Sequence, residues 1–111
     1  MTNQEQIKDL IQRKEALKKF LEIDDKKAWI AEEEKKTEAP DFWNDPKEAQ
    51  KVVKGINAKK SWVTAYNEVD EACGDLEVMG EFFDAGDASE EELVAQIAAT
   101  QKKVEELEFK N

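Results

Sequence analysis

"WVTAYNEVDEACGDLEVMGEFF", residues 62–83, decides the fold. Trp62, Tyr66, Val69, Cys73, Leu76, Gly80 and Phe83 recur at steps of 4, 3, 4, 3, 4 and 3. That spacing returns to one side of an α-helix and makes a coiled-coil-like seam. Upstream, Ala49, Val52, Val53 and Ile56 make a second apolar patch, separated from the first by Lys59 and Lys60. Each helical glycine costs about 1 kcal/mol relative to alanine, so a bend is easiest near Gly55 or Gly74.

The start of this long helix is written in "APDFWNDPKEAQ", residues 39–50. Pro40 ends whatever helix precedes it, because the residue before a proline is pushed out of the helical region. Asp45 can accept from first-turn amides, Pro46 suits the first helical position, and Glu48 completes an Asp-x-x-Glu capping box. Phe42 and Trp43 are expected to fold back onto Ala49, Val52 and Val53 as a hydrophobic staple does, in preference to contacting a partner. The helix predicted from these signals runs over about residues 46–84.

Before the corner, Ile7, Leu10, Ile11, Leu17 and Leu21 place one stripe on a helix over about 3–37, interrupted by Lys14. From Asp24 onward the stripe thins to Ala28 and Ile30, followed by Glu33 and Thr37. With no Gly or Pro to break it, a continuous helix is expected, packed back along the first half of the long one. The alternative is a break near residues 22–25, with Asp24 capping a fourth helix. After the long helix, Gly86 and Asp87 read as a turn, and Ser89 with Glu92 as a capping box. Leu93, Ile97, Thr100, Val104 and Leu107 then mark a helix over about 89–109. The expected fold is an all-α, elongated antiparallel three-helix bundle forming a single domain of 111 residues.

Composition narrows the function. The chain has no His, which removes the usual general base near neutral pH and the commonest transition-metal ligand. Glu32, Glu33 and Glu34 point in different directions on a helix and read as a solvated face. Cys73 lies in the apolar seam with no basic neighbour in sequence, as a structural thiol does. No Gly-rich phosphate loop is present. An enzyme is not expected, nor a cofactor or metal. The single Cys and the charged first 20 residues fit a reducing, cytoplasmic setting, and no apolar run approaches the length of a membrane span.

The net charge of −10 is unevenly placed. Residues 1–60 hold 14 basic and 13 acidic residues, whereas residues 61–101 hold 11 acidic and no basic ones. Direct nucleic-acid binding by this domain is therefore not expected. Glu90–Glu92 sit in a first helical turn, where the helix dipole favours them, but Glu81 and Asp84 sit in a last turn, where it does not. Glu81, Asp84 and Asp87 form a candidate partner-facing acidic tip.

The stretch "PDFWNDPKEAQKV", preceded by "FLEIDDKKAWIAEEEKK", resembles the amino-terminal domain of bacterial peptide chain release factor 2, of the class I release factor family. Pro40, Asp41, Trp43, Asn44, Asp45, Pro46, Ala49 and Gln50 match the family pattern. Asp24, Lys26, Lys27 and the closing Leu107–Phe109 are also similar, and the resemblance runs along essentially the whole chain. Glu33 and Thr37 depart from it, standing where relatives tend to be apolar, and Trp29 takes a position often charged. The resemblance implies a role in translation termination at UAA or UGA stop codons. The family's codon-reading Ser-Pro-Phe and hydrolytic Gly-Gly-Gln motifs are absent from these residues. It therefore implies an accessory, non-catalytic first domain, a fragment of a longer factor that meets the ribosome. The implied contacts are protein at the stalk base of the large subunit and release factor 3, with the domain itself monomeric. Without the resemblance, the residues fit a free-standing helical adaptor or coiled-coil interaction module equally well.

Overall fold

The long seam helix organises everything else. In a computed structural model describing residues 1–110, helix α3 (Pro46–Asp84) runs unbroken for 39 residues, about 57 Å at 1.5 Å per residue. Helices α1 (Asn3–Phe20), α2 (Ile23–Thr37) and α4 (Glu90–Glu108) pack along it, and there is no strand among the described residues. The molecule measures 61 × 25 × 18 Å. The all-α, elongated, antiparallel character expected from the sequence is what is found, with four helices.

The first predicted helix is broken, so the continuous reading is corrected. Glu22 adopts a left-handed backbone, φ 51°, and separates α1 from α2. The cause lies in the phase of the apolar residues. On one continuous helix Ile23 would point about 220° away from Leu10, at 100° per residue. The break swings Ile23 into the core, where it is fully buried. That burial is worth about 1.5–3 kcal/mol, against about 1–2 kcal/mol for a left-handed non-glycine residue. Asp24 does not cap α2; no side chain does. Instead the Lys26 ammonium donates to the Leu21 carbonyl, satisfying the end of α1.

The two segments then find different partners. α1 packs against both α4 and the second half of α3, while α2 alone lies along the first half of α3. Only the latter part of the expected first helix therefore packs where the sequence placed it. The main core gathers Leu10, Leu17, Ile23, Tyr66, Val69, Cys73, Leu76, Leu93, Ile97, Val104 and Leu107. Thr100 is buried with them and donates its hydroxyl to the Gln96 carbonyl at 2.8 Å. Where Gly80 passes α1, a Cβ would stand 3.2 Å from Ile7 Cδ1, so the small residue permits the close approach.

Beyond the end of α4 the structure thins to a two-helix arm. Its fully covered apolar residues are Ile30, Ala49 and Ile56. Glu33 and Thr37 take the remaining inward positions on α2. Glu33 Oε2 makes no well-directed hydrogen bond, but Lys36 Nζ lies 2.7 Å away and compensates its charge. Trp29 spreads over Gly55 on the arm, 37% exposed, with Lys59 Nζ 4.7 Å from its ring centroid.

Candidate functional site

The two candidate regions stand at opposite ends of α3. At the arm's end, the amide of Phe42 donates to the Ala39 carbonyl at 3.0 Å and that of Asn44 to Asp41, also at 3.0 Å. These bonds make one 3₁₀ turn over Phe42–Asn44. The Asp45 carboxylate then accepts from the Glu48 amide at 3.3 Å, and Pro46 occupies the first turn of α3. The reciprocal half of the expected capping box is missing, because Glu48 turns outward to Lys51 at 3.2 Å. At the start of α4 Ser89 caps the helix, and its second bond runs between side chains and not to its own amide. Its hydroxyl accepts from the Glu92 amide at 3.1 Å and donates to the Glu92 carboxylate at 3.2 Å.

Trp43 is not the buried staple the sequence led us to expect. It is 60% exposed and meets the half-buried Phe42 edge-to-face, with ring centroids 5.1 Å apart at 86°. One flank lies over a shallow groove lined by Glu34, Thr37, Val53, Ile56, Asn57 and Lys60. Ala49 and Ile56 are buried, and the indole sits at the rim of the groove that Ile56 helps to line. Pro40, Asp41, Asn44, Asp45, Pro46 and Gln50 are exposed, and Ala49 is buried. The corner thus unites Pro40, Asp41, Trp43, Asn44, Asp45 and Pro46, with Gln50 one turn into α3.

At the other end, Gly86 (φ +82°) turns the chain from α3 toward α4. Glu81, Asp84 and Asp87 are all exposed around it, and the last turn of α3 contains no basic residue.

Between the ends, ion pairs at the bundle surface tie α1 to its neighbours. Arg13 on α1 grips Glu108 on α4 with two parallel bonds, Nε to Oε2 at 3.0 Å and Nη2 to Oε1. The hydrogen bond from Arg13 holds the Glu108 carboxyl below the usual glutamate range, and the same bond raises the guanidinium. Lys14, which interrupts the apolar stripe, is nearly covered and bonds Asp70 and Glu15 at 3.0 Å each. Burial pulls its pKa down, but the two carboxylates outweigh burial and lift it above the ordinary lysine value. Burial pushes the Tyr66 hydroxyl up to about 12 and raises the Cys73 thiol as well. Cys73 is fully buried and unpaired with another cysteine, a packing residue of the core. Among the described residues no three His, Cys, Asp or Glu side chains gather as a metal site, and no helix is long and apolar enough to cross a membrane.

Sequence reasoning missed the Arg13–Glu108 clamp, which joins residues 95 positions apart and leaves no local pattern. It also missed that Val78 and Phe82 stay about half exposed on α3.

A long spine helix joins a proline-bounded corner at one end to an acidic hairpin at the other. The PCRF domain family matches residues 26–111, from within α2 through the corner, α3 and α4. The chain belongs to that family, a domain of peptide chain release factors, and its role lies in translation termination. α1 and the break at Glu22 lie outside the matched residues.

Proposed function

We propose that this domain is the accessory, non-catalytic amino-terminal domain of a cytoplasmic factor directing peptide release at UAA and UGA stop codons. It engages the ribosome through protein, at the stalk base of the large subunit, and meets release factor 3. Membership of the release factor family supports the general role. The match of Pro40–Gln50 to the release factor 2 pattern supports the codon class. The observation that carries the protein-contact reading is the charge partition: 11 acidic and no basic residues over 61–101. Acid of that density repels rRNA phosphate and steers toward basic protein.

Two assays test the reading. Residues 1–111 alone are expected to release no peptide from ribosomes programmed with UAA, UGA or UAG; measurable release at any of them overturns the non-catalytic role. Association with ribosomes and with release factor 3 is expected to slow when Glu81, Asp84 and Asp87 are changed together to Lys, most at low salt. Association rates unchanged at every ionic strength overturn the acidic tip.

A free-standing coiled-coil adaptor is the second reading. It would use the seam of α3 between chains, yet Tyr66, Val69, Cys73 and Leu76 are already covered by α1 and α4. Sedimentation at micromolar concentration is therefore expected to give a monomer.

A further inference from the structure

Opposite its internal seam, α3 carries a second one. Glu71, Asp75, Val78 and Phe82 step by 4, 3 and 4, and all four are exposed. Val78 and Phe82, 46% and 52% exposed, are the apolar half of this outer stripe; Glu71 and Asp75 are its acidic half. Asp75, Val78, Met79 and Phe82 line a groove closed on the α4 side by Gln96.

Gly74 lies within the same stripe, between Glu71 and Val78. A glycine in a helix interior costs about 1 kcal/mol relative to alanine. Gly80 and Gly86 each have an internal reason, the approach of Ile7 and a positive φ. Gly74 has neither: a Cβ there would meet nothing within 4 Å. The fold has no use for the missing side chain, but a second backbone laid against this face does.

We propose that Glu71, Gly74, Asp75, Val78 and Phe82 form a docking face for a basic amphipathic helix of a partner protein. The 4-3-4 spacing suits a helix lying along α3, approaching closest at Gly74. Its apolar residues pack on Val78, Met79 and Phe82, and its Lys or Arg residues reach Glu71 and Asp75. Charge selects the occupant. With no basic residue over 61–101, a second copy docking by this same face would set acid against acid, and RNA would set phosphate against acid. The proposal rests on the reading that this half of the domain meets protein, and it names the surface and the partner's chemistry.

The test titrates the 111-residue chain into a labelled Leu/Lys peptide of about five helical turns with heptad spacing. A scrambled peptide of the same composition is the reference. The heptad peptide is expected to bind roughly tenfold more tightly than the scrambled one, as an apolar anchor adds to charge. Val78→Glu with Phe82→Glu, both at exposed positions, should erase that preference. Gly74→Ala should raise the melting temperature and yet weaken the heptad peptide several-fold. Equal binding of both peptides, or undiminished binding by the Gly74→Ala chain, overturns the docking face. Either result leaves the termination reading standing, since that reading is judged on ribosomes with other variants.

Discussion

Ile56 and Leu76 lie on the same helix and are both buried, but they live in different halves of the molecule. Leu76 sits where α1, α3 and α4 meet, among eleven buried residues that form one cluster. Ile56 sits where α2 meets α3 alone, in an arm whose other covered apolar residues are Ile30 and Ala49 and whose inward face includes Glu33 and Thr37. A third helix adds apolar surface for each residue to pack against. Helix propensity continues across both halves; cohesion does not. The arm is thereby the part that opens at lower cost, a local unit within one chain.

Core truncation gives the largest effect that sharpens this contrast. Leu76→Ala should cost about 2–5 kcal/mol of global stability, read by urea denaturation. Ile56→Ala should cost nearer 2 kcal/mol, and hydrogen exchange should show where: α2 and the first turns of α3 lose protection while α4 keeps it. Matching losses in α4 would break the comparison and make arm and bundle one cooperative unit. Asp45→Ala, which removes the cap at the arm's end, should cost about 1 kcal/mol in the same denaturation experiment.

The clamp between α1 and α4 gives a smaller, pH-dependent effect. Glu108 is held below its ordinary range, so on acidification the unfolded chain takes up this proton before the folded one does. The clamp's contribution is complete above the usual glutamate value near 4.3 and fades as pH falls below it. Glu108→Gln should therefore be less stable than wild type at pH 7 by about 0.5–1 kcal/mol, with the gap closing toward pH 3. A gap that persists in acid would assign Glu108 a packing role. Smallest of all, Trp43→Ala should change stability by no more than about 0.5–1 kcal/mol, since the indole is largely solvated.

Much of this architecture is legible in the residues. The 4-3 seam of Trp62–Phe83 marks the spine, Asp45 and Pro46 mark its start, and Ser89 with Glu92 marks α4. The break at Glu22 was less visible because no Gly or Pro announces it. Its signal is a phase slip: Leu10, Leu17 and Leu21 share one stripe, and Ile23 and Ile30 share another on the far side. Trp43 was misread because a capping corner promises a staple without saying how much of the indole the fold covers, and 60% stays exposed. At the candidate surfaces, composition gave the acidic end plainly. Exposure at Val78 and Phe82 depends on which side α4 covers, and that is a tertiary fact.

The unbroken course of α3 has a mechanical consequence. A rod about 57 Å long that pivots by 10° at one end carries the other through about 10 Å. The break at Glu22 interrupts α1–α2, whereas α3 continues past it as one uninterrupted helix. For a helix that moves as one piece, a small tilt at the acidic hairpin is thus a large displacement at the proline corner.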